Sequence, residues 1–494
     1  MVQDFVNCKI EGIDEKTKKQ LFQALKFAVP GAQYTPQYKL GRWDGTVAFC
    51  STAGHTFLNV LDRLLPIIEA AGYECVLDDR RPLHQFNIPF ITDQLFADRV
   101  WPAGHGLAGH PIILRDYQVK AINLFLQELT SVQELATAMG KTTLTAALSH
   151  VVEPYGRSVI IVPSKSLVTQ TEADYRNVGL AVGVYFGDRK ELAQHVICTW
   201  QSLAALQKRT LDDNNRITLK SFLKDVVCVI VDEAHACKAS LLRSMLCGMF
   251  KNVPIRWGVT GTIPKAEHEA MCLLSAIGPV VGRLPAVELQ EKGVLANCQI
   301  TVCQLRDPAY DFSSYQEELA FLLNDPVRLN YIATLIAGYS QSGNTLVLVE
   351  RVEAGRVLHR LLPGSVFISG DTKTKQRAEE YQSIQTTDKK IIIATYGVAS
   401  TGINIVRIFN LVLLESGKSF VKVLQSIGRG LRRSHDKDTV QIYDICSTQK
   451  FSKRHLAKRK HYYTDAQYPY RTTKLAYRAD GEPWHGLANV ESRV

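Results

Sequence analysis

Two short stretches of the sequence have the residue types and spacing that phosphate chemistry requires. The first is Gly140-Lys141-Thr142, which is followed by Thr143 and a helix-forming run. A glycine lets the backbone approach a phosphate closely, and the amide groups that begin the next helix point at the anion. Lys141 can reach the β- and γ-phosphates, and the Thr142 hydroxyl can ligate Mg²⁺. The full pattern has another glycine where Leu135 stands, so a glycine that only separates two elements is the alternative.

The second stretch, residues 226–235, reads V-V-C-V-I-V-D-E-A-H. Its apolar run predicts a strand that is buried on both faces, as in a parallel sheet. The strand ends at Asp232 and Glu233, and open α/β sheets bind ligands at the carboxyl ends of their strands. Asp232 would hold Mg²⁺, and Glu233 would orient or deprotonate an attacking water. A solvated turn is the alternative, but together with Gly140-Lys141-Thr142 the pair predicts a site that hydrolyses ATP or GTP.

Composition limits the remaining choices. The 494 residues suffice for about three domains of roughly 150 residues each. The net charge of +10 favours a polyanionic partner. The sequence has no apolar run long enough to cross a membrane, and its first residues lack the pattern of a secretory signal. The eleven cysteines are scattered without a C-x-x-C pair, so we expect reduced core residues in a cytoplasmic protein.

Residues 1–100 are predicted to form a small α+β domain. The expected elements are a strand at 5–10, helices at 15–29 and 60–71, and a strand at 73–77. Asp44-Gly45 lies between two apolar runs, which predicts a β-hairpin. Arg42 and Trp43 precede this turn, and their charge and aromatic surface suit phosphate contacts and base stacking. A hairpin whose aromatic residues only pack this domain is an equal alternative.

Two α/β domains of similar size are predicted to follow, at residues 101–283 and 284–446. Polar residues recur where their apolar strands end, which is typical of doubly wound nucleotide-binding sheets. In the first domain, the amide of Gln118 offers a donor and an acceptor that suit adenine, with a solvated helix start as the alternative. The second domain has no phosphate loop, but Arg429 and Arg432 share one helix face. They predict arginine fingers that complete an ATP site, or a basic helix that binds a phosphate backbone.

The last segment, residues 447–494, is predicted to be a basic, aromatic extension. It interleaves lysines and arginines with Phe451, Tyr462 and Tyr463. This combination suits a nucleic-acid backbone. A solvated charged helix is the alternative.

These pieces, in this order, resemble the motifs of a superfamily 2 helicase or translocase. The matching stretches are residues 114–118, 135–142, 163–170, 232–235, 260–262, 346–351, 394–404 and 425–432. Each is weak alone, but the whole series in order is very specific. The resemblance implies an α/β fold with two tandem RecA-like domains, to which the small α+β amino-terminal domain and the basic carboxy-terminal tail are added. It also implies an enzyme that hydrolyses ATP with Mg²⁺ and moves along nucleic acid.

A narrower resemblance covers most of the chain. Residues 41–45, Trp200-Gln201-Ser202, Ser369-Gly370-Asp371 and residues 394–398 are similar to phage branch-migration helicases of the UvsW type. This resemblance implies a DNA translocase that remodels forks, Holliday junctions, R-loops and D-loops in phage replication, recombination and repair. Its partners would be branched or duplex DNA and phage recombination or replication proteins. It would act as a monomer in the host cytoplasm, away from membranes.

The resemblance also implies roles for individual residues. Catalysis would involve Lys141, Asp232, Glu233, Gln425, Arg429 and Arg432. ATP would be contacted by Arg115, Gln118, Thr137, Ala138, Met139, Gly140, Lys141, Thr142, Thr143 and Gly402, and Mg²⁺ by Thr142 and Asp232. Nucleic acid would be contacted by Arg42, Trp43, Ser164, Lys165, Thr199, Gln201, Ser369, Thr395 and Tyr396. Thr260 and Thr262 would couple hydrolysis to movement.

Two departures from the family pattern leave alternatives open. Ala138 replaces a glycine, and its methyl group can fit because the close phosphate approach belongs to Gly140. Thr260-Gly261-Thr262 stands where strand-separating relatives often have Ser-Ala-Thr, so both strand separation and translocation on duplex DNA are compatible with it. The alternative functions are an RNA helicase, a translocase subunit of a restriction-like system, and a non-catalytic nucleic-acid scaffold. The set of charged catalytic residues argues against the scaffold.

Overall fold

The computed structural model describes residues 1–103, 107–136, 139–208, 217–372, 376, 379–380, 383–384, 387–400, 407–417, 438–477 and 490–491. The chain divides into two compact units. The first consists of Met1–Leu135 and Gly140–Arg283, and the second of Ala136–Met139 and Leu284–Val494. Each unit is built around one eight-stranded sheet.

The amino-terminal part of the first unit is an α+β region of short elements. These are β1 (Asn7–Lys9), α1 (Glu15–Ala24), β2 (Lys26–Ala28), α2 (Pro36–Lys39), β3 (Thr46–Ala48), β4 (His55–Phe57) and α3 (Leu61–Ala70). Strand β1 pairs antiparallel with β4, and β2 pairs antiparallel with β3. Helix α1 begins where the Asp14 carboxylate accepts a hydrogen bond from Thr17 N at 2.7 Å, which satisfies one of the free N–H groups of its first turn.

Three predictions for this region are wrong. The helix predicted at residues 15–29 is shorter, because β2 follows α1 directly and pairs with β3. Asp44-Gly45 does not form a tight hairpin, since β2 and β3 pair across a longer connection, residues 29–45, that contains α2. Residues 73–77 lie outside any strand and are mostly exposed to solvent.

The remainder of the first unit surrounds its large sheet. The strands are β5 (Phe96–Val100), β6 (Pro111–Ile112), β7 (Thr130–Leu135), β8 (Arg157–Val162), β9 (Val182–Phe186), β10 (Arg189–Lys190), β11 (His195–Thr199), β12 (Val226–Asp232), β13 (Ile255–Thr260) and β14 (Val280–Leu284). The helices are α4 (Asp116–Gln127), α5 (Lys141–Val151), α6 (Lys165–Asn177), α7 (Trp200–Gln207), α8 (Leu219–Leu223), α9 (Ser240–Cys247) and α10 (Glu267–Ala276). Strands β5 and β6 form a separate antiparallel pair.

The large sheet has the order β10-β9-β11-β8-β12-β13-β7-β14. The strands from β9 to β7 in this order are parallel, and β10 is antiparallel to β9. In the centre, Ile160 of β8 pairs with Ile197 of β11 and with Ile230 of β12, and all three are buried. Continuous apolar runs form these strands because helices cover both faces of a parallel sheet. The predicted α/β fold is confirmed for this unit.

The amino-terminal region and the first α/β domain share a hydrophobic core. The small core of the amino-terminal region continues into Met271 and Cys272 of α10. The Asn59 side-chain amide donates to the carbonyl groups of Leu274 and Ile277, at 3.2 Å each. Residues 1–100 are therefore packed on the first α/β domain, and their predicted autonomy as a domain stays a prediction.

The second unit repeats the α/β pattern. Its strands are β15 (Asn297–Leu305), β16 (Thr345–Val349), β17 (Val366–Ile368), β18 (Ile391–Thr395), β19 (Asn410–Leu414), β20 (Thr439–Ser447), β21 (Tyr470–Leu475) and β22 (Val490–Glu491). Its helices are α11 (Ala286–Glu291), α12 (Tyr315–Asn324), α13 (Pro326–Tyr339), α14 (Val352–Leu361), α15 (Tyr396–Ser400) and α16 (Lys450–Asp465). The sheet order is β17-β18-β16-β19-β20-β15-β21-β22, with only β22 antiparallel to its neighbour among these strands.

The predicted carboxy-terminal extension is built into this second sheet where the structure describes it. Strand β21 pairs in parallel with β15, and α16 packs on the domain. Tyr463 is fully buried and donates to Asp444 Oδ2 at 3.0 Å, so in this structure its ring is not available for the nucleic-acid contact that the basic and aromatic sequence favours. Tyr463 lies on the buried side of α16 together with Leu456 and Arg459, whereas Lys453 and Lys458 of the same helix are exposed.

Two compositional predictions can be compared with the structure. All eleven cysteines are free thiols, and nine of them are buried. No helix in the described ranges has both the length and the hydropathy of a membrane span.

Candidate nucleotide-hydrolysis site

Three neighbouring strands of the first sheet bring the predicted catalytic residues to one edge. Strands β12, β13 and β7 are adjacent and parallel. β12 ends at Asp232, β13 ends at Thr260, and the loop after β7 leads to Gly140. Because parallel strands present their carboxyl ends at the same edge, three motifs that are far apart in sequence lie together there.

Gly140 shapes the turn between β7 and α5. Its φ of +88° lies in the left-handed region, which residues with a side chain rarely adopt. A Cβ atom at this position would also collide with the side-chain Nε2 of Gln118. Helix α5 begins directly afterwards at Lys141, so its free N–H groups lie at the turn. Such a turn suits a bound phosphate.

Lys141 and Glu233 lie next to each other at this edge. The distance from Lys141 Nζ to Glu233 Oε1 is 3.6 Å, and the two side chains are 15% and 19% exposed. Glu233 has a φ of +53°, which is uncommon for a residue other than glycine. Its N–H donates to Asp232 Oδ1 at 2.9 Å. Backbone strain of this kind costs on the order of 1–3 kcal/mol and clusters at functional sites.

The electrostatics around Asp232 favour a bound cation. Burial, and to a lesser extent the charge of Glu233, raise the pKa of Asp232 to about 6, although Lys141 and His235 act in the opposite direction. A carboxylate that is poorly solvated and close to a second carboxylate gains from a cation. Mg²⁺ uses one or two protein ligands together with substrate phosphates and waters. Asp232 and Thr142 can supply that number, so the residues present fit the ion.

His235 lies between the Glu233 carboxylate and the neighbouring strand end, with an electrostatic contact to the carboxylate and a hydrogen bond to Thr260. His235 Nδ1 lies 3.3 Å from Glu233 Oε2 and 2.9 Å from Thr260 Oγ1. The Thr260 hydroxyl donates to Thr262 O at 3.0 Å and accepts from Thr262 N at 3.3 Å. Since the Thr260 proton is used in this way, His235 Nδ1 must be the donor to Thr260. The sequence motif contains His235, but its role in linking Glu233 to Thr260 is visible only in the fold.

The side-chain hydroxyl of Thr262 is buried and has no hydrogen-bond partner within the part of the chain that the structure describes. Buried polar atoms are normally paired, and an unpaired one calls for a functional explanation. Thr262 is one of the two residues predicted to couple hydrolysis to movement, and its buried hydroxyl has the capacity to form a new hydrogen bond.

The other predicted ATP contacts are placed as follows. Gln118 is 6% exposed, and its Oε1 accepts from Arg115 N at 3.0 Å, which caps the start of α4. Arg115 Nη1 donates to Tyr117 OH at 2.7 Å. Met139 is fully buried, so only its backbone is available to a phosphate. Thr142 and Thr143 are half-buried in the first turn of α5.

Two further strand ends of the first sheet carry predicted nucleic-acid contacts. Ser164 and Thr199 accept hydrogen bonds from the first turns of α6 and α7, respectively, as N-caps. Thr199 is 3% exposed, so as it stands it presents almost no side chain to a nucleic acid. Lys165 and Gln201, which begin the same helices, are exposed. Because β8 and β11 are adjacent and parallel, these two side chains start from the same edge.

The remaining predicted contacts differ in accessibility. Tyr396 is 3% exposed, so its predicted contact with nucleic acid does not fit this structure, because its ring lies in the domain core. Ser369 is 7% exposed, and its backbone N–H donates to Thr372 Oγ1 at 3.0 Å, whereas Thr395 is half-buried. In the amino-terminal region, Trp43 Nε1 donates to Thr46 O at 2.6 Å, which favours packing for Trp43. Arg42 is exposed.

Six of the predicted site residues lie outside the described residues. They are Thr137, Ala138, Gly402, Gln425, Arg429 and Arg432. Their predicted contacts with ATP therefore stay predictions.

Comparison with known proteins agrees with this geometry. Residues 111–265 match the model for the res subunit of type III restriction enzymes, and residues 328–434 match the helicase conserved C-terminal domain. The chain is 24% identical to the ATP-dependent DNA helicase uvsW of Enterobacteria phage T4 over 466 residues, which covers 90% of this chain and 89% of the relative.

Solved structures share the fold. Dbp5 of S. cerevisiae, bound to RNA and ADP BeF3, has a TM-score of 0.52 at 17% identity and covers 74% of this chain and 90% of its own. The ATP-dependent Type ISP restriction-modification enzyme LlaBIII, bound to DNA, has a TM-score of 0.55 at 14% identity, with 76% and 32% covered. At these identities the likeness shows the fold alone.

The fold and the site together define an ATP-hydrolysing enzyme with two RecA-like domains. The chain belongs to the superfamily 2 helicases, and it is similar along most of its length to UvsW of phage T4. The prediction of the family from sequence is confirmed.

Proposed function

We propose that this chain is an ATP-dependent DNA helicase or translocase that remodels branched DNA. The observation that carries the proposal is the meeting of Lys141, Glu233 and the Thr260–Thr262 turn at one sheet edge, joined through His235. Such a link gives the hydrolytic residues a path to a neighbouring strand end. The similarity to a phage DNA helicase covers about nine tenths of both chains, which favours DNA as the track.

Each residue at the edge has a distinct part in the proposed hydrolysis. The turn at Gly140 and the first N–H groups of α5 bind phosphate oxygens, and Lys141 neutralises their charge. Asp232 and Thr142 hold Mg²⁺, which when bound stabilises charge on the phosphoryl group. Glu233 orients the attacking water and accepts its proton.

The proposed DNA contacts are three exposed residues of the predicted set and the half-buried Thr395. Lys165 and Gln201 start from one edge of the first sheet, Arg42 lies in the amino-terminal region, and Thr395 lies at a strand end of the second sheet. Such contacts go mainly to the sugar–phosphate backbone, so the enzyme would tolerate any sequence. Forks, four-way junctions, R-loops and D-loops are its proposed substrates, and it would act as a monomer beside phage recombination or replication proteins.

ATP hydrolysis measured with different nucleic acids tests the substrate. The panel contains no nucleic acid, single-stranded DNA, duplex DNA, a four-way junction and RNA of matched length. The highest rate is expected with the junction, and the enzyme should then move a mobile junction in a strand-exchange assay. A rate raised only by RNA would overturn the assignment of DNA, and a rate raised only by linear duplex would favour a restriction-like translocase.

A charge deletion tests the site. Lys141→Ala should abolish ATP turnover while far-ultraviolet circular dichroism is unchanged. Lys220→Ala removes the same charge from the exposed helix α8 and should hydrolyse ATP like the wild type. Normal turnover in the Lys141 variant would refute the site assignment.

A further inference from the structure

A cluster of cations in the second unit takes no part in the site described above. It lines a cavity of about 630 Å³ between helix α16 and the sheet edge formed by β15 and β21. Its charged members are Arg306, Lys453, Lys460 and Lys474. Three of these four side chains are exposed, and Lys460 is half-buried, so the cluster is accessible from solvent.

The sequence and the fold place these four residues together from three separate elements. Lys453 and Lys460 are seven residues apart on α16, which puts them on one helix face. Lys474 of β21 pairs with Gln304 of β15, so their side chains share one face of the sheet. Arg306 follows Gln304 by two residues, and its N–H donates to Leu475 O at 2.8 Å, which extends the pairing.

The cluster lacks compensating negative charge. No residue lining the cavity is acidic, and none of its four cations forms an ion pair in the part of the chain that the structure describes. Residues 450–475 contain eight lysines and arginines and one acidic residue. Uncompensated like charges repel one another, so this arrangement raises the affinity of the surface for an anion.

The platform under the cluster is rigid. Arg459 of α16 is buried and binds both oxygens of Asp444, at 2.9 Å and 3.0 Å. The Glu318 carboxylate accepts from the N–H groups of Phe451 and Ser452, at 2.8 Å and 2.7 Å, and so caps the start of the helix. Because the helix backbone is held in this way, binding of a ligand needs to order only the side chains of the cluster.

We propose that this cavity is a binding site for the phosphodiester backbone of nucleic acid, separate from the contacts assigned to the strand-end motifs. Lys453 and Lys460 are about 10 Å apart along the helix axis, at about 1.5 Å per residue. That length corresponds to about three nucleotide steps along the axis of a DNA duplex, at about 3.4 Å of axial rise per step. A single small anion would span only one of these positions. The inference rests on the proposed function in that it takes nucleic acid as the enzyme's track.

The test compares two double variants of the full-length protein that carry the same change in charge. Lys453→Gln with Lys460→Gln removes two cations of the cavity. Arg454→Gln with Lys458→Gln removes two exposed cations of the same helix that lie about 100–160° away from the cavity lysines around its axis. Binding to a 30-base-pair duplex is measured by fluorescence anisotropy over a series of salt concentrations.

The cavity variant should show a shallower dependence of log affinity on log salt, by about 0.9 for each lost phosphate contact and therefore by about 1.8. Its loss of affinity should grow as salt is lowered, while the control variant keeps the wild-type slope. ATP hydrolysis without DNA should be the same in all three proteins, which shows that the fold is intact.

Three results would count against the reasoning, and they are distinguishable. Equal slopes for the cavity variant and the wild type would overturn the cavity assignment and leave an acidic protein partner as its occupant. A wild-type protein that neither binds duplex nor hydrolyses ATP faster with any DNA would overturn the proposed function itself. If both double variants lose slope equally, the charge of α16 acts as a whole, and the cavity has no special role.

Discussion

Replacing Asp232 with asparagine should stabilise the protein while it destroys ATP hydrolysis. The folded protein raises the pKa of this carboxyl group from 3.8 to about 6, mainly because burial disfavours the charged form. At neutral pH the ionised carboxylate therefore destabilises the folded state, because it is buried there, whereas water solvates it in the unfolded state. Asparagine removes this charge and keeps an oxygen for the N–H of Glu233, which Asp232 Oδ1 accepts at 2.9 Å.

The magnitude follows from the two pKa values. A shift of about two units corresponds to about 3 kcal/mol at a pH above both values. Near pH 3 the group is largely protonated in both states and contributes little. As pH rises from 3 to 6, the unfolded state loses its proton first, so the wild type loses stability that the variant keeps. The advantage of the variant should be about 1.5 kcal/mol at pH 5 and about 3 kcal/mol at pH 8.

Scanning calorimetry at pH 5 and pH 8, without nucleotide or metal, measures this difference. For a domain of this size, about 1 kcal/mol moves the transition by roughly 2–4 °C, so the unfolding transition of the first unit should rise by several degrees at pH 8. Glu233→Gln provides an internal check, because Glu233 also raises the pKa of Asp232. In that background the gain from Asp232→Asn should shrink. A difference that does not change with pH, or a destabilised variant at pH 8, would refute the reasoning.

Three further predictions concern single residues. Thr262→Val should leave the free energy of unfolding unchanged or raise it by about 1 kcal/mol, because it removes a buried hydroxyl that has no partner among the described residues. The variant should nevertheless unwind fewer base pairs per ATP hydrolysed. A clear loss of stability would contradict this. Arg328→Met should lower the free energy of unfolding in urea by about 3–5 kcal/mol. It leaves the buried carboxylates of Asp307 and Glu415, which lie 2.8 Å and 2.5 Å from the guanidinium, without their cation. A loss below about 1 kcal/mol would show that the carboxylates become protonated instead. Gly140→Ala should weaken binding of a fluorescent ATP analogue about tenfold or more. The causes are backbone strain of about 1–2 kcal/mol in the left-handed region and the clash with the Gln118 side chain. The control is Gly12→Ala, which has a positive φ but open space around its Cβ position and should bind the analogue normally.

The candidate hydrolysis residues could be identified in the sequence because their signals are local. The strand before Asp232 is a continuous apolar run. Helix α5 begins at Lys141, directly after Gly140. Both patterns depend on neighbours within a few residues, so they survive in any fold that contains a parallel sheet. The order of the sheet could not be read in this way, and neither could the distance between Lys141 and Glu233.

The errors in the amino-terminal region have the same origin. The Asp44-Gly45 pattern suits a tight hairpin, but β2 and β3 pair across residues 29–45 instead. Pairing of strands depends on which apolar faces can be buried, and in this region the core is completed by Met271 and Cys272 of a distant helix. No local pattern contains that information.

By itself, the sequence determined the class of enzyme, the parallel α/β architecture and the candidate residues for phosphate chemistry, because motifs and apolar periodicity are properties of short segments. Only the tertiary structure decided which charges are exposed and which are paired. Arg459 and Lys460 are adjacent in one basic run, yet the first is buried against Asp444 and the second lines a solvent-accessible cavity. The physical reason is that burial and ion pairing depend on contacts between residues that are distant in sequence, and those contacts exist only after the sheet has formed.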